Sequence, residues 1–150
     1  MTKLNLAEAF RIAVEVHGDQ RDRSGEPYMG HVCRVMAQME TDEERAVAIL
    51  HDTIEDSAAS ESAGIAEKIV AAYGTAVADA VRTLTKPKGV AYMAYVSTIG
   101  ANPLALKVKF ADLRDNMSEA RLGKLPLELR ERLKAKYAEA YEYLRGAYNP

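Results

Sequence analysis

The sequence is poor in the residues that build covalent frameworks and metal clusters. Its only cysteine is Cys33, so no disulfide can form within the chain. Cys33 lies among Val32, Val35 and Met36 at helical spacing, which predicts a buried thiol rather than a nucleophile. No window has the length and apolarity of a membrane-spanning helix, and residues 1–6 lack the apolar run of a signal peptide. A cytoplasmic location without a membrane partner is the expectation. A net charge of −2 gives no basic excess for binding a nucleic-acid polymer. Strand-like alternation, internal repeats and low-complexity linkers are all missing. There are only three histidines, His17, His31 and His51, so each one carries information.

What is present is ordinary for a globular chain: 48% apolar and 28% charged residues over a length of 150, expected to form one domain spanning 1–150. Leu6, Phe10, Ala13 and Val14 set a first helix over residues 4–15, and polar residues 18–27 read as a loop. A second helix follows over 29–39. Thr41 and Glu44 then have the spacing of a capping box, which opens a third helix running through residues 48–56. Residues 57–63 read as a loop, followed by helices over 65–73 (stopped by Gly74), 76–84 and 91–99. Asn102-Pro103 is a cap followed by proline at the first helical position, opening a helix expected to reach Arg121. Pro126 starts the last helix, with Leu129, Leu133, Tyr137, Tyr141 and Leu144 in register. The expected architecture is all-α, a compact single-domain helical bundle of about seven or eight helices.

Residues 48–56, AILHDTIED, concentrate the chemistry. On a continuous helix His51 sits over Glu55 and Asp52 over Asp56, with Val47, Leu50 and Ile54 forming the opposite apolar stripe. Three carboxylates crowd one turn at the negative end of the helix dipole, and no lysine or arginine occurs from Ala46 to Glu67. A bound divalent cation is the simplest balance. Such an ion wants imidazoles and carboxylates converging from different helices. His51 and Asp52 supply two ligands. His31 is a candidate third, and Asp112, an acid inside the apolar run 106–117, a candidate fourth. Taken alone, a histidine on an apolar helix is more often a hydrogen-bonded core residue, so the case rests on the set.

Three segments carry a family resemblance: HGDQRDRSGEPYMGH at 17–31, LHDTIED at 50–56 and VKFADLRDN at 108–116, with Leu84-Thr85-Lys86 between them. Their order resembles the H…HD…D signature of the HD-domain phosphohydrolases. It is most similar to the Rel/Spo hydrolase domain that removes the 3′-pyrophosphate from guanosine tetraphosphate and pentaphosphate. That resemblance implies one divalent metal ion, usually manganese, held by His31, His51, Asp52 and Asp112. It implies Glu55 and Asp56 as the pair that positions or activates the attacking water. It places Arg23, Lys86, Asn116 and Tyr137 near the nucleotide. Read singly, Arg23 and Lys86 are solvated loop charges and Tyr137 a core residue. His17 matches a family histidine that is not a ligand, which favours a single metal.

The chain departs from the family where Asp22-Arg23 replaces two basic residues. An acid there repels a polyphosphate unless it is turned away or paired with Arg21. Val32 stands in place of a proline, and Leu113-Arg114-Asp115 is less basic than its counterpart. Three readings follow. The first is hydrolysis of the alarmone's 3′-pyrophosphate, and the second is the same mechanism on another small phosphoester or nucleoside monophosphate. The third is a non-catalytic module that binds a nucleotide or a protein partner.

Overall fold

The computed structural model describes residues 3–148, which form ten helical segments and no strand. Eight are substantial: α1 (Ala7–His17), α2 (Tyr28–Ala37), α3 (Asp42–Leu50), α5 (Ala59–Tyr73), α6 (Thr75–Thr83), α7 (Tyr92–Ile99), α8 (Pro103–Asn116) and α10 (Leu127–Tyr148). Two are short pieces, α4 (Thr53–Asp56) and α9 (Glu119–Leu122). The all-α bundle expected from the sequence is what forms.

Helix α3 is the axis. Ala46, Val47, Ala48, Ile49 and Leu50 are all fully buried, against α1, α2, α6 and α8. A helix surrounded on all sides needs no polar face, hence the unbroken apolar run. Burying Val47, Ile49 and Leu50 contributes about 1.5–3 kcal/mol each. That outweighs the roughly 0.3–1 kcal/mol by which the helix dipole disfavours an anion at its C-terminal end. The capping box forms: the Thr41 hydroxyl accepts from the Glu44 N–H at 3.1 Å, and the Glu44 carboxylate accepts from the Thr41 N–H at 3.1 Å. Lys107 of α8 donates to the same Glu44 carboxylate at 2.9 Å, so the cap also ties α3 to α8. Helix α8 starts as its sequence predicts, with Asn102 Oδ1 accepting from Ala105 N–H at 3.0 Å and proline next in line.

Four expectations are corrected. The helix carrying AILHDTIED does not run through: α3 ends at Leu50, and His51-Asp52 lie outside it, Asp52 with φ −106° and ψ 2°. Neither glycine nor proline makes this break. Instead, the Thr53 hydroxyl donates to Leu50 O at 2.8 Å and His51 Nδ1 meets Ala48 O at 2.6 Å, satisfying carbonyls at the helix end. Residues 57–63 are mostly helical rather than loop, because α5 starts at Ala59 in an alanine-rich stretch of high helix propensity. Helix α8 stops at Asn116, and Ser118 is extended (φ −62°, ψ 141°), so Arg121 belongs to α9 and faces back across the site. Cys33 is exposed rather than buried. The inward face of α2 is His31, Val32 and Val35, and a residue one position on from Val32 is turned by about 100°.

Candidate metal centre and substrate cleft

His31 from α2, His51 and Asp52 from the α3–α4 break, and Asp112 from α8 meet at one point. One ligand atom from each lies within 4.8 Å of all the others. Adjacent residues on an unbroken helix diverge by about 100°, so His51 and Asp52 can converge only because the helix is interrupted between them. His51 Nε2 is 3.0 Å from Asp52 Oδ2 and 3.4 Å from Asp112 Oδ1, and His31 Nε2 is 3.0 Å from Asp112 Oδ1. The four side chains thus form a mixed imidazole–carboxylate set of the kind that can hold a divalent cation.

The orientation of the imidazoles tests that fit. Both Nδ1 atoms are occupied: His31 Nδ1 meets Asp115 Oδ2 at 2.6 Å, and His51 Nδ1 meets Ala48 O at 2.6 Å. Both Nε2 atoms are buried without a hydrogen-bond partner. An acceptor behind each ring keeps the proton on Nδ1 and aims the Nε2 lone pair forward, as metal ligation requires. The donor set fits a cation.

Asp112 and Asp52 are held in turn. Lys109 Nζ donates to Asp112 Oδ2 at 3.0 Å and Asn116 Nδ2 to Asp112 Oδ1 at 3.2 Å. The Tyr28 hydroxyl donates to Asp52 Oδ2. Burial opposes ionisation of Asp112, but Lys109 and the two histidines outweigh it, and its pKa lies well below the carboxylate range. Burial and the nearby Asp52 and Asp112 raise the Tyr28 pKa far above its ordinary value, so Tyr28 keeps its proton and remains a donor. Burial depresses His31, yet contacts with Asp112 and Asp115 prevail and its pKa is raised.

Glu55 and Asp56 are different. Burial, then Asp52 and Asp56, raise the Glu55 pKa, although its Oε1 accepts from the Lys86 backbone N–H at 2.6 Å. Burial and Asp52 raise the Asp56 pKa likewise, against a hydrogen bond from Gln20 Nε2 at 3.1 Å. Gln20 Oε1 in turn lies 2.7 Å from Nδ1 of the fully buried His17. His17 is therefore engaged away from the four-residue cluster.

A cleft of about 370 Å3 adjoins the cluster, whose four residues do not themselves line it: among its lining residues are Glu55, Asp56, Tyr28, which is hydrogen-bonded to Asp52, and Asn116, which is hydrogen-bonded to Asp112. Arg23, Tyr137 and Arg121 line it further out, beside the apolar side chains Leu122, Leu125 and Leu133. Of the residues expected near a nucleotide, Arg23, Asn116 and Tyr137 are brought to this cleft. Lys86 is not among the lining residues: its Nζ donates to Val90 O at 2.9 Å and Pro87 O at 3.3 Å, and its backbone N–H reaches Glu55. Asp22 is paired with Arg121, Nε to Oδ2 at 3.3 Å, and not with Arg21, which donates to Gly25 O.

Sequence reasoning missed Tyr28, Gln20, Lys109, Asp115 and Arg121. Lys109 and Asp112 are three apart on α8, a spacing that would have paired them. Asp115 and Arg121 carry no such local signal, because their partners are on α2 and in the 18–27 loop.

The helical bundle thus gathers a histidine, a His-Asp pair and an aspartate from three places in the chain, the set that the resemblance to HD-domain proteins implies. No family model matches the sequence. The chain is 30% identical over 156 residues to the GTP pyrophosphokinase rsh of Brucella ovis, covering 94% of this chain and 20% of that protein. It is 29% identical over 124 residues to the guanosine-3′,5′-bis(diphosphate) 3′-pyrophosphohydrolase of Aquifex aeolicus, covering 75% of this chain and 17% of that one. The chain thus spans about a fifth of the length of these curated relatives. Its fold is similar to that of a protein described as a metazoan ortholog of SpoT that hydrolyzes ppGpp, with a TM-score of 0.73 and 24% identity over 98% of this chain and 90% of that one. The chain is thus similar in sequence to a part of these curated relatives, and its fold is similar to that of the metazoan protein. Among the described residues, no helix is long and apolar enough to cross a membrane.

Proposed function

We propose that this chain is a metal-dependent phosphohydrolase that removes the 3′-pyrophosphate of guanosine tetraphosphate or pentaphosphate. One observation carries the reading: a buried His31–His51–Asp52–Asp112 cluster adjoins two acids, Glu55 and Asp56, that pair with no lysine or arginine side chain among the described residues and that face a cleft. The name of the Aquifex aeolicus relative supports the choice of substrate. The mixed nitrogen and oxygen donors would hold a divalent cation, and manganese is the ion that the family resemblance implies. When bound, such an ion lowers the pKa of water and polarises a phosphoryl oxygen.

The chain's own residues do the rest. Glu55, fixed through Oε1 by the Lys86 N–H, keeps Oε2 to accept the proton of the attacking water. Asp56 orients that water beside it. The water oxygen bonds to phosphorus as the bond to the ribose 3′-oxygen breaks, releasing pyrophosphate. Arg23 and Arg121 oppose the charge that grows on the phosphoryl oxygens. Tyr137 and the leucines beside it provide the apolar surface on which a base rests. Lys86 acts through its backbone and, at longer range, through its charge. The partner is a small nucleotide, and the cytoplasm is the compartment assigned.

Asp22 favours a second reading, in which the same chemistry meets a less charged phosphoester. Arg121 is partly committed to neutralising Asp22, so the outer cleft presents less free positive charge. The deciding experiment incubates the manganese-loaded protein with guanosine tetraphosphate and a panel of nucleoside monophosphates. Pyrophosphate release from the tetraphosphate alone is the expected result. Orthophosphate from a monophosphate selects the second reading, and no hydrolysis of any substrate overturns both.

A further inference from the structure

Arg121 occupies a junction that no local sequence pattern announces. Its Nε faces Asp22 Oδ2 at 3.3 Å, while Nη1 donates to Asn116 Oδ1 at 2.6 Å and Asp115 Oδ2 at 3.1 Å. Each contact leads somewhere. Asp115 is the acceptor behind the ligand His31, and Asn116 donates to the ligand Asp112. On the other side, Asp22 organises the 18–27 loop: its Oδ1 accepts from the Ser24 N–H (2.9 Å), the Ser24 hydroxyl (2.7 Å) and the Glu26 N–H (3.0 Å). That loop carries Arg23 to the cleft. The Asp22 side chain is only 3% exposed and that of Arg121 17%, so solvent competes little for the pair.

We propose that Arg121 is a positioning residue coupling the order of the 18–27 loop to the geometry of the metal ligands. Cation binding fixes His31 and Asp112, and through Asp115 and Asn116 it fixes the guanidinium that holds Asp22. By linkage, order in the loop tightens cation binding by the same factor. The planar fork of arginine is what spans these partners and also brings Nη1 to 3.1 Å from His31 Nδ1, and a lysine ammonium presents a single nitrogen instead. The inference rests on the metal-centre reading and adds to it a route from the ion to the substrate loop.

The test is a manganese titration by calorimetry, with hydrogen exchange of the loop amides, on the full chain and on Asp22→Asn, Arg121→Gln, Arg121→Lys and the Asp22→Asn/Arg121→Gln pair. Asparagine keeps the Oδ1 acceptor of the loop and puts an NH2 in place of the charged acceptor facing Arg121. Arg121→Gln is expected to weaken manganese binding about 10–100-fold, the range for loss of a group supporting a ligand. Asp22→Asn, whose partners are confined to its own loop and Arg121, is expected to weaken it about fivefold. The double variant is expected to bind no worse than Arg121→Gln alone, since contacting residues are not additive. Arg121→Lys should behave like Arg121→Gln. In the wild type, manganese should slow exchange at Ser24 and Glu26, and in Asp22→Asn it should not. Wild-type affinity in Asp22→Asn or Arg121→Lys, or loop exchange indifferent to manganese, overturns the coupling while leaving the metal centre standing. A wild-type chain that takes up no manganese defeats the metal-centre reading, and the coupling with it. Should Arg121→Gln fail to fold, the Asp22→Asn affinity and exchange data decide alone.

Discussion

On α8, Asp112 and Asp115 each meet positive groups supplied by the chain. Lys109 attends Asp112, with the Asn116 amide beside it; Arg34 at 2.8 Å and Arg121 attend Asp115, which also meets His31 Nδ1. Their pKa values are driven down, that of Asp115 to about 2. On α4, Glu55 and Asp56 receive a backbone N–H and an amide but, among the described residues, no lysine or arginine side chain, and their pKa values are driven up. Both pairs border the same centre. The difference separates charge that the fold has already neutralised from charge left open to something else. Acids of the first kind hold the architecture, and acids of the second kind are candidates for chemistry.

Substitutions can break that contrast, and Asp112→Ala should do so most severely. It removes a ligand and strands Lys109 in the core. Loss of detectable manganese binding is expected, with a fall of about 3–5 kcal/mol in metal-free stability, the usual cost of removing one partner of a buried pair. Metal titration and urea unfolding check both, and a variant that still binds manganese would remove Asp112 from the ligand set. Glu55→Gln takes away an acid of the other kind. Turnover should fall about 10²–10⁴-fold while manganese affinity is kept, as for loss of a general base. Pyrophosphate release measured beside calorimetry tests this, and parallel losses of affinity and turnover would make Glu55 a ligand instead.

Asp115→Asn and Asp56→Asn sharpen the contrast through pH. A folded pKa of about 2 lies below the unfolded carboxylate value, so Asp115 contributes stability that is present above about pH 4 and lost as pH falls towards 2. Asp115→Asn should therefore cost about 2 kcal/mol at pH 7, with the gap from wild type closing across that acid window in denaturant titrations. Asp56 has the opposite sign. Its folded pKa is raised, so its ionisation opposes folding at neutral pH and ceases to do so once pH drops below the ordinary carboxylate range. Metal-free Asp56→Asn should be more stable than wild type at pH 7, seen as a higher Tm, with the difference vanishing in acid. A drop in Tm would mean that Asp56 is already neutralised within the fold.

What the sequence made legible follows from range. The Thr41 box, the Asn102-Pro103 start and the Gly74 stop (φ 87°) are local devices, and all three form where the residues stand. That His31, His51, Asp52 and Asp112 come together was legible because their residue types fall in a spaced order. The break at His51-Asp52 was not, since Thr53 makes it with a side chain acceptable in a helix. Cys33 misled because Val32, Val35 and Met36 define an apolar stripe whose centre lies beside it. The partners of Asp22 were out of reach for a third reason: Arg121 is 99 residues away, and only the halt of α8 at Asn116 turns α9 back towards the loop.

Gln20 gives the site a direction. An amide has one end that only accepts and one that only donates. With Oε1 towards the ring nitrogen of His17, the NH2 is left for Asp56 Oδ2. The imidazole at the closed end gives its proton outward, and the chain of hydrogen bonds terminates on Asp56 as a pure acceptor. Glutamate at this position would have no NH2 to offer and would set one carboxylate against another. The direction of the hydrogen bonds from interior to cleft is therefore written into a neutral side chain, before any substrate arrives.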